Sequence, residues 1–267
     1  MKKYRFLIAR RFTQLSIIAL YILANIYGIN ILMGNLSNSL VLQTVNLSDP
    51  FAVLQMIFAG AIISFDIALG ALIISIFYFI LGGRAFCSWV CPVNIITDCA
   101  NYLRRVLKFD EVQKKQPATR NLRYWLILIS FIISYFMGVA AFELISPVSM
   151  VHRGLIFGLG FGLATMIVIF LFDLFVLKNG WCGHICPLGG FYSLIGRFSL
   201  LRVHHNSEKC TACMKCKVVC PEIQVLHMID KSSEPVLQEC TLCARCIEVC
   251  EDDALNFELR NYMKEKK

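Results

Sequence analysis

The chain carries two near-repeats of one cysteine run close to its C-terminus. The first extends from Cys210 to Cys220 and the second from Cys240 to Cys250, and each has the spacing C-x2-C-x2-C-x3-C. In bacterial proteins this spacing binds a [4Fe–4S] cluster through three cysteines of one run and the last cysteine of the other. The pattern therefore predicts a small α+β domain with two [4Fe–4S] clusters over residues 201–267.

The crossed arrangement assigns each cysteine to one of two ligand sets. We expect cluster 1 to bind Cys210, Cys213, Cys216 and Cys250, and cluster 2 to bind Cys240, Cys243, Cys246 and Cys220. Zinc, the rival metal for C-x2-C pairs, needs two pairs rather than two triplets that each have a trailing C-x3-C. A disulfide framework is the other alternative for thirteen cysteines. It is disfavoured because the charge pattern described below places these runs in the reducing cytosol.

The chain before these runs is too apolar for a soluble protein. Hydrophobic residues make up 57% of the sequence, and the mean hydropathy is +0.64. A helix needs about 20 apolar residues to cross the hydrocarbon core of a membrane. Four stretches qualify, at about residues 15–36, 61–82, 122–142 and 155–177. The predicted fold is therefore a membrane α-helical domain with four transmembrane helices over residues 1–200, followed by a two-cluster ferredoxin-like domain.

A further short helix is predicted just before the second of these spans. Ser48, Asp49 and Pro50 have the sequence of a helix start, with a capping acceptor followed by proline in the first turn. Gly60 then interrupts the apolar run. We interpret residues 51–59 as a short interfacial helix that leads into the second span. One long tilted helix is the alternative.

The distribution of basic residues predicts the orientation of the spans. Lysine and arginine are frequent in residues 1–14, in the loop 83–121 and after residue 177, and they are rare in loops 37–60 and 143–154. Because basic loops stay on the cytoplasmic side, both termini and the ferredoxin-like domain are expected in the cytoplasm of a bacterial inner membrane. The net charge of +8 is explained by these loops, so a nucleic-acid partner is disfavoured. The first span is too long for a cleaved signal peptide and is expected to stay as an anchor.

A second cysteine motif, C-x3-C-P, occurs near the cytoplasmic ends of the second and fourth spans. It comprises Cys87 and Cys91 in one copy, and Cys182 and Cys186 in the other. The chain thus resembles a two-fold repeat of two spans and one motif. The four thiols could bind a metal or a cluster, exchange disulfides with a partner, or only pack beneath the helices. His184, inside the second copy, has no counterpart in the first, and Cys99 is expected to be a buried helix residue.

The combination of four spans, paired C-x3-C-P motifs and a ferredoxin-like tail resembles the NapH family over essentially the whole chain. These are membrane ferredoxin-type subunits of periplasmic nitrate reductase systems. The resemblance implies a quinol dehydrogenase that passes electrons to a NapG-like periplasmic iron–sulfur protein or a NapC-like cytochrome c. The NosR-like and FixG-like relatives carry extra domains that are not expected here. Maturation of a membrane-linked reductase, or redox sensing, are the alternative functions.

Quinol oxidation also requires a proton acceptor. The candidates are Asp66 and Asp173 within spans and His152 and Glu143 near the outer face. Asp66 is ranked first because it is expected to lie deepest, where an ionisable residue is costly. None of the five histidines falls within a predicted span, so no buried haem pair is indicated, and the route of electrons across the bilayer is left open.

Overall fold

The computed structural model describes residues 4–28, 31–109, 121–158 and 160–260, and within them it contains twelve α-helices and five strands. The helices are α1 (Arg5–Tyr27), α2 (Pro50–Phe58), α3 (Phe65–Leu81), α4 (Ala85–Trp89), α5 (Val93–Val106), α6 (Leu122–Met137), α7 (Ala141–Ile145), α8 (Pro147–Phe157), α9 (Gly160–Leu171), α10 (Pro187–Gly196), α11 (Lys215–Val219) and α12 (Arg245–Glu248). The strands are β1 (Leu32–Gly34), β2 (Asn38–Val41), β3 (Val45–Ser48), β4 (Leu201–His205) and β5 (Leu255–Leu259).

Contacts divide the chain into two compact units. The first consists of Met1–Phe12, Phe77–Val90 and Tyr192–Lys267, and the second of Thr13–Ile76 and Cys91–Phe191. The first unit is larger than the ferredoxin-like segment 201–267 expected from the sequence, because it also includes the end of α3 and all of α4.

The apolar helices are shorter than the predicted spans. Within the described residues, α1 is the one helix long and apolar enough to cross a membrane, and Phe65–Leu81, Leu122–Met137 and Gly162–Val176 are shorter apolar helices. The predicted limits of the first span are wrong. The helix starts at Arg5 and ends at Tyr27, because Gly28 has a φ of +69° and the chain then enters β1.

The third and fourth spans also differ from their predicted limits. Helix α6 ends at Met137, where Gly138 adopts the left-handed conformation with a φ of 67°. The backbone breaks at Gly158, whose φ is 115°, so α9 starts at Gly160 rather than at residue 155. It continues as a π-helical turn over Phe172–Val176.

The short helix before the second span is confirmed. Asp49 caps α2 by accepting a hydrogen bond from the Ala52 amide at 3.2 Å, and Pro50 is its first residue. Gly60, at a φ of +79°, separates α2 from α3. The alternative of one long tilted helix is therefore wrong.

The core of the second unit is aromatic around α2. Phe51 is completely buried. Its ring lies 5.6 Å from the rings of Phe131 and Phe142 and 5.2 Å from that of Phe191, measured between centroids. Nearby, the buried Gln55 side chain accepts a hydrogen bond from the Phe142 amide at 2.9 Å. Strands β1, β2 and β3 of this unit form an antiparallel sheet in that order.

The first unit contains the cysteine runs. Strands β4 and β5 pair antiparallel, with Val203 opposite Phe257, and α11 packs against α12. The ring of Phe86 stacks on that of Tyr192 with centroids 5.0 Å apart. Gly83 permits this packing, because a side chain at that position would overlap the Tyr192 carbonyl oxygen. The segment from Gly82 to Trp89 is thereby fixed against Tyr192 and Gly196, which belong to the same unit.

Candidate iron–sulfur sites and candidate proton acceptors

The two cysteine runs have the same backbone shape. Ala212 and Met214 of the first run have φ angles of 55° and 58°, and Leu242 and Ala244 of the second have 52° and 58°. A short helix, α11 or α12, follows the second of these left-handed residues in each run. This repeated turn curls the backbone around the cysteines, as a cluster-binding loop requires.

The thiols of the two runs lie close enough to influence one another's pKa. Burial raises the pKa of the Cys216 thiol, and the neighbouring Cys210, Cys250 and Cys213 raise it further. Burial likewise raises the pKa of Cys220, with added repulsion from Cys243 and Cys240. We call Cys210, Cys213, Cys216 and Cys250 the outer site, and Cys220, Cys240, Cys243 and Cys246 the inner site. These two sites are the ligand sets that the cysteine spacing predicts, with three thiols from one run and one from the other.

The two sites differ in their exposure. In the inner site Cys220, Cys243 and Cys246 are buried and Cys240 is half-buried. In the outer site Cys216 is buried, Cys210 and Cys250 are half-buried and Cys213 is exposed. Burial raises the pKa of Cys240 to about 12. Such crowded, uncharged thiols become good ligands only when iron replaces their protons. The inner site is therefore a shielded position and the outer site a superficial one.

The surroundings of the inner site suit an iron–sulfur cluster. Its four cysteines line one pocket together with apolar side chains, among them Val203, Val225, Leu226 and Ala244. The Leu242 amide donates to Cys240 Sγ at 3.4 Å, and in the outer site the Ala254 amide donates to Cys250 Sγ at 3.3 Å. Amides directed at sulfur stabilise the negative charge of a cluster. A [4Fe–4S] cluster bound here would supply one-electron redox chemistry.

The segment that ends α3 and forms α4 clamps the loop around Cys240. Three side chains of this segment donate to three carbonyl oxygens of the loop: Arg84 Nη1 to Glu239 at 2.7 Å, Ser88 Oγ to Thr241 at 2.6 Å, and Trp89 Nε1 to Leu242 at 3.1 Å. Because these carbonyls flank Cys240 on both sides, the clamp fixes the position of an inner-site ligand.

Arg84 also forms a buried ion pair beside the inner site. Its Nη1 lies 2.9 Å from Oε1 of Glu222, and both side chains are almost fully buried. Gln224 Nε2 donates to Oε2 of Glu222 and to Oε2 of Glu239, at 2.9 Å each. Sequence reasoning missed Arg84 and Glu222, because 138 positions separate them and no spacing rule links them. Only the position of Glu222 just after Cys220 could have suggested it.

The C-x3-C-P motifs lie in well-packed backbone. Cys87 lies in α4 and is buried, as is Cys91, which precedes α5. Cys182 is half-buried in a π-helical turn, Trp181–Ile185, and the Gly189 amide donates to Cys186 Sγ at 3.5 Å. None of the thirteen cysteines is joined in a disulfide. In the part of the chain that the structure describes, no three His, Cys, Asp or Glu side chains are grouped to hold a single metal ion.

Asp173 has a structural role next to the second motif. Its Oδ1 accepts a hydrogen bond from the Trp181 amide at 3.0 Å, directly before Cys182. Arg104 Nη1 donates to the carbonyl oxygens of Asp173 and Leu174 at 3.2 and 3.0 Å. One carboxylate oxygen is thereby committed to the backbone of the turn, while the other, Oδ2, is buried without a hydrogen-bond partner among the described residues.

Asp66, ranked first as the deepest of the candidates, lies at one end of its apolar helix. Helix α3 starts at Phe65, so Asp66 is in its first turn and is exposed. An acidic side chain is stabilised there by the helix dipole, which explains it without a catalytic role. Cys99 is also exposed, contrary to the prediction that it is buried. His184 is fully buried, as expected for a packed residue.

His152 is a buried side chain of helix α8. It is 1% exposed, and its ring meets that of Tyr21 edge to face with centroids 4.6 Å apart. Neither ring nitrogen has a hydrogen-bond partner among the described residues. Burial, assisted by the charge of Arg153, lowers the pKa of His152 to about 4. It is therefore a neutral imidazole at neutral pH, and its low pKa makes it a weak base.

Glu143 belongs to a separate polar group of the second unit. Its Oε2 accepts hydrogen bonds from Ser37 Oγ at 2.6 Å and from Ser149 Oγ at 3.0 Å. Two hydroxyl donors stabilise the ionised carboxylate.

Comparisons with known proteins agree with the iron–sulfur interpretation. A family model described as a 4Fe-4S binding domain matches residues 53–110 and 159–204, which contain both C-x3-C-P motifs. A model described as a 4Fe-4S dicluster domain matches residues 202–251, which contain both cysteine runs. These matches support binding of iron–sulfur clusters by the chain.

Curated relatives cover most of the sequence. The ferredoxin-type protein NapH of Haemophilus influenzae is 41% identical over 262 residues, covering 96% of this chain and 90% of that protein. NapH of Escherichia coli is 38% identical, covering 97% and 91%. The methylamine utilization ferredoxin-type protein MauN of Paracoccus denitrificans is 41% identical, covering 84% and 78%. No solved structure matches the chain significantly.

Proposed function

The chain belongs to the family of ferredoxin-type NapH and MauN proteins, and from that premise we propose that it is a membrane-bound quinol dehydrogenase subunit. In this proposal, electrons from quinol pass towards a periplasmic reductase. The observation that best supports this proposal is the pair of four-thiol sites, one buried and one superficial. Both sites lie in a unit that also includes the end of the apolar helix α3. A shielded site and an exposed site in one unit suit a carrier that receives electrons at one and delivers them at the other.

Exposed apolar surface supports a multi-pass membrane protein with four transmembrane helices. Leu72 and Ile76 of α3, Ile132 and Phe136 of α6, and Val168 of α9 are all about half exposed or more. Contiguous apolar surface of this extent is rare on soluble proteins and marks contact with lipid or protein. The basic loops support the orientation with both termini and the ferredoxin-like domain in the cytoplasm. Lys114, Lys115 and Arg120, which contribute to that pattern, lie outside the described residues.

His152 is the proposed first proton acceptor from quinol. Oxidation of quinol releases two protons and two electrons, and the first proton needs a nearby neutral base. The imidazole of His152 is neutral and buried beside Tyr21, and its low pKa lets it hold the proton only briefly before passing it on. Asp66 is exposed, and one carboxylate oxygen of Asp173 holds a backbone turn. Asp66 is retained as a comparison position in the experiment below.

Nitrate reduction is the proposed destination of the electrons. The NapH relatives align over more of this chain, 96% and 97%, than the MauN relative does, at 84%. The expected partners are a NapG-like periplasmic iron–sulfur protein and a NapC-like cytochrome c. Methylamine utilization, the process in the name of MauN, is the competing destination.

The C-x3-C-P cysteines are a proposed additional redox site. The match of an iron–sulfur family model to both motif-containing segments favours iron or a cluster over packing alone. Thiol exchange with a partner is the alternative use of Cys87, Cys91, Cys182 and Cys186. Iron content separates the two, because two [4Fe–4S] clusters account for eight iron atoms per chain and any excess requires further ligands.

The test uses the full-length protein reconstituted in liposomes. Excess quinol is added anaerobically, and the reduced-cluster signal is followed by freeze-quench EPR. We expect reduction in the unmodified protein, at least tenfold slower reduction in His152→Gln, and near-normal rates in Asp66→Asn and in the exposed-histidine control His227→Gln. Absence of quinol-driven reduction in the unmodified, cluster-loaded protein would contradict the proposal and favour a role in maturation.

A further inference from the structure

We propose that Arg84 and Glu222 set the reduction potential of the inner site through opposite charges. This inference rests on the proposed electron-carrier function and on the assignment of Cys220, Cys240, Cys243 and Cys246 to one cluster. It adds a role for two residues that no cysteine motif includes.

The charges lie close to the ligands. The Arg84 guanidinium hydrogen-bonds the carbonyl of Glu239, the residue before Cys240, at 2.7 Å. Glu222 follows Cys220 by two positions, and its Oε1 contacts Arg84 at 2.9 Å. The cation and the anion therefore each lie next to a different ligand of the same site.

Burial makes these charges effective. Arg84 is 0% exposed and Glu222 is 1% exposed, so little solvent screens them from the inner site. Interactions between charges are several-fold stronger at a low effective dielectric constant than in water. Arginine remains protonated at every accessible pH. Its charge therefore acts constantly on the cluster.

The signs of the two effects follow from the redox reaction. One-electron reduction adds a negative charge to a cluster, so a nearby cation favours the reduced form and raises the potential, while a nearby anion lowers it. Removing the Arg84 charge also removes the cation that offsets the charge of Glu222, which strengthens the effect of Glu222. The two substitutions must then shift the potential in opposite directions, which loss of packing alone would not produce.

The outer site offers an internal reference. Lys215 Nζ pairs with Glu251 Oε1 there at 2.7 Å, but both side chains are more than half exposed. Exposed pairs are screened by water and salt. Lys215→Gln is therefore a matched control in which the same charge is removed next to a cluster without burial.

The experiment is an EPR-monitored redox titration of the full-length protein, purified anaerobically in detergent. The variants to be compared with the unmodified protein are Arg84→Gln, Arg84→Lys, Glu222→Gln, the Arg84→Gln/Glu222→Gln double variant and Lys215→Gln. We expect a lower inner-site midpoint in Arg84→Gln, a higher one in Glu222→Gln, and a value between them in the double variant. Arg84→Lys should retain most of the original value. The outer-site midpoint should change little in all of them.

The outcomes separate this inference from the function on which it rests. Shifts of the same sign in Arg84→Gln and Glu222→Gln, or equal shifts at both sites, would overturn it. If Arg84→Gln fails to hold its clusters, a raised inner-site midpoint in Glu222→Gln still supports the inference, and an unchanged one overturns it. Absence of two cluster signals in the unmodified protein would instead overturn the proposed electron-carrier function.

Discussion

The imidazole of His152 and the phenol ring of Tyr21 meet edge to face at 4.6 Å, and both side chains are buried. Tyr21 also donates a hydrogen bond from its hydroxyl to the Asn35 carbonyl at 3.2 Å. The pair therefore connects α1, α8 and the segment that links β1 to β2. A neutral histidine in this position links folding stability to pH.

Protonation of His152 is expected to destabilise the protein. Its pKa is about 4 in the folded state and 6.5 in the unfolded chain, so the unfolded state binds more protons between these values. Stability is then complete above pH 6.5 and falls as the pH decreases towards 4. Between pH 6.5 and 5 the loss should be about 2 kcal/mol.

Thermal unfolding in detergent at pH 5.0 and 7.5 measures this effect. His152→Phe, which cannot titrate, should lose clearly less stability on acidification than the unmodified protein. His227→Gln removes an exposed histidine and should behave like the unmodified protein. Equal acid sensitivity of all three proteins would refute the role given to His152.

The crossed assignment of ligands predicts which signal each serine variant loses. Cys250→Ser should abolish the outer-site cluster and retain the inner one, and Cys220→Ser should do the reverse. EPR spectra and iron content of each purified variant measure this. Cys99→Ser, at an exposed cysteine outside every motif, should retain both signals. Loss of the outer signal in Cys220→Ser would show that each run binds its own cluster.

Gly83→Ala should destabilise the first unit. The new methyl group would overlap the Tyr192 carbonyl and lie 2.5 Å from the Gly196 amide nitrogen. Because backbone has to move to relieve this overlap, we expect a loss of about 2–4 kcal/mol. The measurement is the midpoint of denaturant unfolding.

Gly160→Ala is the matched control for that substitution. A side chain at Gly160 meets no atom within 4 Å, and alanine favours helix by up to about 1 kcal/mol over glycine. An unchanged or raised stability is therefore expected there. A loss as large as that of Gly83→Ala would mean that the close approach to Tyr192 is not the cause.

Asp173→Leu should loosen the second C-x3-C-P turn. The substitution removes the acceptor of the Trp181 amide, at a cost of about 1–2 kcal/mol. Alkylation of Cys182 and Cys186 should become about five- to thirtyfold faster, as followed by mass spectrometry. Asp173→Asn, which retains one oxygen acceptor, should have a smaller effect.

Asp66→Leu is the control for Asp173→Leu. Its side chain is exposed in the first turn of α3, so the alkylation rate should not change. Equal rates in the Asp173 and Asp66 variants would argue against a positioning role for Asp173.

Local sequence signals predicted local structure well. The residue types at both ends of α2 favour a helix end there, because Asp49 and Pro50 favour a helix start and Gly60 favours a helix stop. Helix α2 starts and stops where these residues indicate. The two cysteine runs, which share one spacing, also share one backbone turn, as the matched left-handed residues Ala212 and Leu242 show.

The limits of the apolar helices were less predictable. A hydropathy profile shows where apolar residues are frequent. The helix itself can extend beyond those residues into polar sequence. Arg5 and Arg10 lie inside α1 because arginine is a good helix former. The same averaging placed Asp66 several residues inside the predicted span 61–82, although α3 starts only one residue before it.

Contacts between distant positions could not be predicted from one sequence. In the sequence, Arg84 is one of several basic residues near the end of a predicted span, and Glu222 is an acidic residue that follows a cysteine. Only folding places them 2.9 Å apart. Asp173 is similar, because its bond to the Trp181 amide depends on the π-helical turns on either side.

The most direct test of the proposed function is an EPR-monitored redox titration of the anaerobically purified, unmodified protein, with iron counted on the same sample. We predict two [4Fe–4S] signals with midpoints near that of the quinone pool. Iron–sulfur potentials span from about −700 to +450 mV, so agreement with the quinone pool would be informative. Midpoints several hundred millivolts lower would make reduction by quinol untenable and would contradict the proposed quinol dehydrogenase.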